Sequence, residues 1–327
     1  MARPYLPIIH GAVLDRPDEA DTLTAAGLIA ASLERLGYDC DIVAMGLDLS
    51  VLERLAMRRP YAVFNLVESL NGNAALSYLA PAALDHFKLA YTGARTTPYF
   101  ITLSKLLTKD ALRAHGLPTA GWWRAGETVP ATRTVVIKSV LEHGSLGMDT
   151  GSIVPGHAAA QEIARREAAF GGAFFAEEFV GGREFTIGIL ERDGCPRVLP
   201  IVELDFTKLP ASRIAFMDFS AKWNKSDPAY PLFESPLFGL ETRESALASQ
   251  LGTLALEAWD AFGLSGYARI DIRLDTKGQP FILEVNVNPS LALDACFAGM
   301  AGQVGIGYDA MIGAILTAAR SAVKAAA

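Results

Sequence analysis

The sequence predicts a chain of mixed α/β and α+β construction, laid out as three successive units. Three observations carry that expectation. Short apolar runs alternate with helical patterns through residues 1–96, which implies βαβ units and a parallel sheet covered by helices. From Thr97 the order becomes helix, strand, loop, strand and helix, the pattern of a small α+β unit. Beyond residue 180 several strands precede a long helix and a two-strand hairpin, which points to an antiparallel sheet. The expected domains are 1–96, 97–180 and 181–327, and a chain of 327 residues has room for two or three cores at roughly 100–200 residues each.

Leu6–His10 reads as the first strand and Thr22–Leu36 as an amphipathic helix carrying Leu23, Ala26, Leu28, Ala30, Leu33 and Leu36. Asp41–Ala44, Leu49–Met57 and Tyr61–Leu66 then repeat strand, helix, strand. Ligands usually sit at the carboxyl ends of such strands, which marks His10 and Glu68. Ser104–His115 reads as a helix stopped by Gly116 and Pro118, and the β-branched Thr134–Val140 as a strand. A short strand at Ser152–Val154, a helix at Ala158–Ala169 and an extended run at Ala173–Val180 complete the middle unit. Strands follow at Glu184–Glu191, Arg197–Leu204 and Ile214–Phe219, then a helix at Arg243–Phe262. The hairpin pairs Ala268–Leu274 with Pro280–Val287, with Gly278 supplying turn geometry, and a helix at Asp309–Lys324 comes last.

Composition narrows the classes of function. Hydrophobic residues make up 51% and charged residues 20%, a globular balance. Against 36 Asp and Glu stand 29 Lys and Arg, scattered along the chain, so there is no electrostatic footprint for gripping a nucleic-acid backbone. The longest uncharged apolar stretches, Ala295–Tyr308 and Ala310–Ala319, fall short of the roughly 20 residues of a spanning helix. Pro4, Pro7, His10 and Gly11 interrupt the N-terminal apolar run where a secretory signal needs continuity. Cys40, Cys195 and Cys296 have neither disulfide-framework nor zinc spacing. The expectation is a soluble, cytoplasmic chain without nucleic-acid or membrane partners.

Three segments carry chemistry. In the hairpin, side chains alternate, so Arg269, Asp271 and Arg273 share one face of the first strand, and Glu284 and Asn286 share one face of the second. Strict alternation sets Leu283, Val285 and Val287 on the opposite face. Asp271, Glu284 and the Asn286 amide oxygen form an all-oxygen set of the kind Mg²⁺ takes, with substrate phosphates sharing the ion. On these residues alone, a plain solvent-facing hairpin serves equally well. The second segment is Lys138-Ser139-Val140-Leu141-Glu142-His143-Gly144-Ser145-Leu146-Gly147-Met148, where a lysine ends an apolar strand before a Gly-Ser-x-Gly loop. Backbone N–H groups of such a loop can cradle phosphate beside the lysine charge, although ordinary glycine turns look the same. The third is Glu177-Glu178-Phe179-Val180-Gly181-Gly182-Arg183-Glu184, a bend that can offer backbone groups to a purine and a carboxylate to a ribose, or be an acidic edge strand and turn.

In combination and order, these segments resemble the ATP-grasp superfamily, and within it the D-alanine–D-alanine ligase branch. The resemblance rests on Lys105, Lys138 with its loop, Glu177-Glu178-x-Val180, Glu184, Arg269-x-Asp271 and Glu284-x-Asn286, together with the phrases Tyr91-Thr92-Gly93, Glu184-Phe185-Thr186 and Leu283-Glu284-Val285-Asn286. It covers most of the chain. It implies an ATP-grasp fold with an N-terminal Rossmann-like parallel-sheet domain, a small central α+β domain and a C-terminal antiparallel-sheet domain. It implies an ATP-dependent carboxylate–amine ligase, in which ATP phosphorylates a carboxylate and an amine attacks the acyl phosphate, releasing ADP and phosphate. Such chemistry is mostly positioning and charge stabilisation.

Carried over, Lys105 and Lys138 contact ATP phosphates, and Glu177 with the backbone of Glu178, Phe179 and Val180 holds the adenine. Glu184 takes the ribose, Phe216 and Leu283 sandwich the base, and Lys222 reaches the terminal phosphate from a mobile loop. Asp271, Glu284 and Asn286 bind two Mg²⁺, for which Mn²⁺ can substitute. Ser145 joins Lys222 and Arg269 in the catalytic set, with Arg269 stabilising the tetrahedral intermediate's oxyanion. The partners implied are a small-molecule carboxylate and amine, and the resemblance admits a homodimer.

The departures fall on the amino-acid substrates. Where the branch has a glycine-rich loop with a glutamate, this chain reads His10-Gly11-Ala12-Val13-Leu14-Asp15, with Glu19 nearest. Glu68-Ser69 replaces a His-Gly, Gly144 and Trp223 stand for a Ser–Tyr pair that locks the mobile loop, Ser290 replaces a glycine, and Ala295 a serine that holds the second substrate's carboxylate. Glu68 and Ser290 thus become the candidate substrate contacts, and the expectation is a ligase whose substrate is not two D-alanines. The alternatives are a true D-alanine–D-alanine ligase of cell-wall synthesis and a non-catalytic ATP-binding regulator. Arg269 and the full metal set argue against the regulator, because binding alone needs neither.

Overall fold

The structure, a computed structural model, describes residues 3–12, 17–141, 145, 147–209, 213–230 and 236–326. β1 (Ile8–Gly11), β2 (Ile42–Met45) and β3 (Phe64–Asn65) pair in parallel in the order β2-β1-β3, as the alternation of the first unit predicts. Between them run α1 (Pro17–Arg35) and α2 (Ser50–Arg58). Helix α1 begins earlier than its apolar stripe, because Pro17 fits a first turn where its missing N–H costs nothing. Gly37, at φ 93°, lies just beyond its end. The sequence shows α5 (Lys105–Ala114) well, capped by Ser104, but its pattern misses α3 (Leu79–His86) and α4 (Thr96–Leu103).

The middle sheet is antiparallel, β4-β7-β5-β6, built from β4 (Trp122–Arg124), β5 (Thr134–Ser139), β6 (Ile153–Pro155) and β7 (Phe174–Glu178). Val135, Ile137 and Ala176 pack against Ile163 of α6 (Ala159–Phe170). The third sheet runs β10-β8-β11-β12, with β9 also beside β8, from β8 (Glu184–Arg192), β9 (Cys195–Val198), β10 (Val202–Leu204), β11 (Tyr267–Leu274) and β12 (Pro280–Asn286). Two expectations need correction here. The single strand expected over Arg197–Leu204 is two, split around Pro200, which has no N–H to give the ladder. The strand expected at Ile214–Phe219 does not form. Asp218 instead accepts from the Ala221 N–H at 2.8 Å and caps the short helix α7 (Phe219–Trp223).

One face of the third sheet, with Ile270, Ile272, Ile282 and Val285, is buried against Leu251, Ala255 and Ala258 of α9 (Ser245–Phe262), which α8 (Leu240–Arg243) precedes. Tyr99 and Leu112 of α4 and α5 complete that core. α10 (Cys296–Gln303) and α11 (Tyr308–Ala326) close a second core with α1 and β1, through Ile29, Leu33, Met311 and Ile315. Among the described residues no helix is long and apolar enough to cross a membrane. The polar face of the third sheet is left to line a cavity.

Candidate active site

A cavity of about 490 Å³ opens between the third sheet, the middle sheet and the first unit. That size suits a small-molecule site. Every residue given a role by the family resemblance lines it, from Lys105, Lys138, Ser145, Glu177, Glu178, Phe179 and Val180 to Glu184, Phe216, Lys222, Arg269, Asp271, Leu283, Glu284 and Asn286, together with Glu68 and Ser290. His10 does not line it: the ring is buried, with Nδ1 2.6 Å from the Gly11 carbonyl oxygen.

The floor follows from strand register. Asp271 lies opposite Glu284 and Arg269 opposite Asn286 across β11 and β12, while Asp271 meets Thr186 and Arg273 meets Glu184 on β8. Three strands thus present their polar side chains to one space. Strict alternation gave Leu283 the other face, and the structure corrects this. The register shifts between Asp271 and Ile272, so Ile272 pairs with Ile282 and Leu283 becomes the extra residue of a bulge. Leu283 therefore lines the cavity beside Glu284. Arg269 grips Asp271 with both a 3.1 Å Nε–Oδ1 and a 2.8 Å Nη2–Oδ2 hydrogen bond, and Asp271 and Glu284 keep it firmly charged in spite of its burial.

Lys222 comes down from α7 onto this floor. It lines the same cavity as Arg269, Asp271, Glu284 and Glu68, and its pKa is lowered by burial and by Arg269, against the pull of Glu284, Asp271 and Glu68. The segment is braced from within: Arg213 holds Asp227 at 2.6 Å and Asp218 at 3.2 Å, and Asp218 is the cap of α7. It is also tied to the glycine loop, since the Phe219 N–H donates to the Met148 carbonyl at 3.0 Å. In that loop Ser145 and Gly147 take left-handed backbone conformations, φ 64° and 71°. The fully buried Arg166 of α6 anchors it by donating to the Gly147 carbonyl and to Asp149 Oδ1. Gly144 and the Trp223 side chain, read as replacing a locking pair, lie outside the described residues, as do 13–16 and the side chain of Glu19.

At the end lined by Lys105, Lys138 and Glu177, where the nucleotide is expected, the sequence reading missed a residue. Lys109, one turn after Lys105 on α5, is 1% exposed and places Nζ 2.6 Å from Glu177 Oε2, while Lys138 Nζ sits 2.5 Å from Oε1. Burial works against the charge on Glu177, but the two ammonium groups outweigh it and hold its pKa below the usual range. The Lys105-x-x-x-Lys109 spacing, which puts both lysines on one helix face, was the available signal. The N–H groups of Glu178 and Phe179 already donate to the Gly121 carbonyl at 2.7 Å and the Thr134 carbonyl at 2.9 Å, so neither N–H is open for the adenine contact expected of this stretch.

The opposite end is acidic. Ser290 Oγ donates to Asp21 Oδ2 at 2.8 Å, and Asp294, Ala295 and Glu68 line the same wall. Burial, then the charge of Asp294, raises the Asp21 pKa against the Ser290 hydrogen bond. Burial pushes the neighbouring Cys296 thiol up to about 11, which favours its neutral form.

The oxygen donors of Asp271, Glu284 and Asn286 fit a hard divalent cation. Among the described residues no group of three His, Cys, Asp or Glu converges on one point. Two carboxylates and an amide oxygen leave coordination positions open, which matches an ion shared with phosphates rather than caged by protein.

Residues 127–317 match the family described as D-ala D-ala ligase C-terminus. The chain is 30% identical over 305 residues to the D-alanine–D-alanine ligase of Methylococcus capsulatus, covering 90% of each protein. It is 31% identical over 304 residues to that of Halorhodospira halophila, again covering 90% of each. In fold it is similar to the crystal structure of D-alanine–D-alanine ligase from Bacillus anthracis complexed with ATP, with a TM-score of 0.75 and 18% identity over 99% of this chain and 100% of that one.

Proposed function

The chain belongs to the D-alanine–D-alanine ligase family of ATP-dependent carbon–nitrogen ligases, and from that premise we propose that it joins D-alanine to D-alanine. The name carried by relatives that align over nine-tenths of the chain supports this substrate above the different acid–amine pair expected from the sequence. The carrying observation for the reaction itself is the cavity floor, where Arg269, Asp271, Glu284 and Asn286 converge with Lys222.

Each residue has work there. Asp271, Glu284 and Asn286 would hold Mg²⁺, which when bound compensates phosphate charge. Lys105, Lys138 and the Ser145–Gly147 loop would orient the triphosphate. Lys222 would face the terminal phosphate as it passes to the substrate carboxylate. Arg269 would steady the oxyanion formed when the amine attacks the acyl phosphate, a role that suits a charge held in place before reaction. Two metal ions and a homodimer belong to the same proposal on the family resemblance alone. The domain limits 1–96, 97–180 and 181–327 are proposed likewise, with the three separate sheets in their favour.

A second reading has a specific observation behind it. Asp21, Glu68 and Asp294 line the substrate end, and Ala295 offers no hydroxyl there. A buried carboxylate denied a donor loses about 1–3 kcal/mol, roughly a five- to hundredfold effect, so this wall favours a substrate with an extra amine or without the usual α-carboxylate. ADP release with D-alanine alone decides between them. Turnover that saturates with D-alanine supports the first reading. No turnover with D-alanine, but activity with another acid–amine pair that is lost in Glu68→Ala, supports the second.

A further inference from the structure

Arg273 follows Asp271 by two residues on β11, lines the cavity and is 3% exposed. An arginine buried to that degree is costly unless its nitrogens find acceptors. Its three nitrogens find them at two places along the chain, the Gly182–Glu184 bend and the stretch just before Phe216. Nη1 lies 3.4 Å from Oε2 of Glu184, its direct cross-strand neighbour. Nε donates to the Gly182 carbonyl oxygen at 3.1 Å, and Nη2 donates to that of Ala215. The guanidinium carbon is 5.0 Å from the centre of the Phe179 ring. The acceptors are therefore the bend leading into the third sheet, the carboxylate assigned to the ribose, and the stretch that carries Phe216. A planar fork can serve all three, and a lysine's single nitrogen cannot. The bend is packed hard on the same strand, since a Cβ at Gly182 would lie 2.3 Å from the Leu274 carbonyl oxygen.

We infer that Arg273 is a positioning residue that aims Glu184 at the ribose hydroxyls and ties the Gly182 bend to the Phe216 stretch, so that the site reads the sugar of its nucleotide through a carboxylate fixed in advance. This rests on the assignment of Glu184 to the ribose in the proposed function. Without the guanidinium, Glu184 loses its nearest cation and the contact that orients it, and a hydrogen bond made by a misaligned carboxylate discriminates poorly.

The test is calorimetric binding of ADP, 2′-deoxy-ADP and 3′-deoxy-ADP with Mg²⁺, which needs no knowledge of the acid or amine. Wild type, Glu184→Ala, Arg273→Met and Arg273→Lys are compared, each checked for fold by circular dichroism. Wild type is expected to prefer ADP over the deoxy analogues by about tenfold, the worth of a hydrogen bond to a charged group. Glu184→Ala, Arg273→Met and Arg273→Lys should all flatten that preference. If wild type shows no preference, or Glu184→Ala keeps it, the ribose assignment itself is wrong. If Glu184→Ala loses the preference while Arg273→Met keeps it, or Arg273→Lys restores it, the assignment stands and the role given to Arg273 is overturned. Should Arg273→Met fail to fold, Arg273→Lys, which keeps charge and stem, decides.

Discussion

Replacing Lys109 by methionine removes one of the two cations that hold Glu177, and its cost can be worked from the geometry. Glu177 is 2% exposed, with Lys109 2.6 Å from one oxygen and Lys138 2.5 Å from the other. Breaking a buried pair by removing one partner costs about 3–5 kcal/mol, because the charge left behind has no water to turn to. Lys138 remains, so the lower figure, about 3 kcal/mol, applies. Methionine keeps most of the stem, which limits any cavity contribution. Lys109 also donates to Thr119 Oγ1 at 2.9 Å, and that hydroxyl donates to the Ile282 carbonyl at 2.8 Å, so the join between this ion cluster and β12 weakens as well. The pH dependence has a definite sign. The two ammonium groups depress the folded pKa of Glu177, so its contribution is present above the unfolded value of about 4.3 and is lost as pH falls through the folded one. The wild-type advantage over Lys109→Met should therefore be full at pH 7 and shrink under acid conditions. Urea unfolding followed by circular dichroism, on Lys109→Met, Glu177→Gln and the double variant, measures it. A coupling energy of about 1–3 kcal/mol is expected between the two sites. A Lys109→Met protein within about 0.5 kcal/mol of wild type at pH 7 would show that Lys109 does not hold the Glu177 charge, as would single-variant losses that simply add.

Glu284→Gln and Lys138→Ala should each lower ADP release by about a hundredfold or more in protein that circular dichroism shows to be folded, since each leaves phosphate charge uncompensated, and Lys138→Ala should also lose stability as the second cation on Glu177; near-normal turnover in folded Glu284→Gln ends the metal assignment. Protease cleavage within 213–230 should slow when Mg²⁺ and a non-hydrolysable ATP analogue are added, and Arg213→Met, which releases Asp218 and Asp227, should speed it in the free protein. Equal rates in all cases would show that the Lys222 segment is not a lid. Gly182→Ala should destabilise by about 2 kcal/mol or more, read by thermal unfolding, because its Cβ would meet two backbone carbonyls at 2.3 and 2.9 Å that no rotamer change can clear; an unchanged melting temperature would mean that the bend relaxes freely.

Features that depend on near neighbours along the chain were legible from the order of residues alone. Period-two alternation already separated Arg269, Asp271 and Arg273 from Ile270, Ile272 and Leu274, and the βαβ rhythm already implied a parallel first sheet, because which face is buried is written in each segment's own pattern. The same local logic failed at 214–219, where apolar residues read as a strand but Asp218 made a helix cap, a contest between propensity and a single side-chain hydrogen bond. It failed again at Leu283, because a bulge moves one residue across the sheet and depends on how the partner strand fits rather than on the strand's own residues. Only the tertiary structure could pair Lys109 with Glu177, Arg273 with Glu184, or Ser290 with an aspartate 269 positions away. A charged side chain carries no mark of its partner, and packing decides which opposite charge is near enough, and dry enough, to hold it.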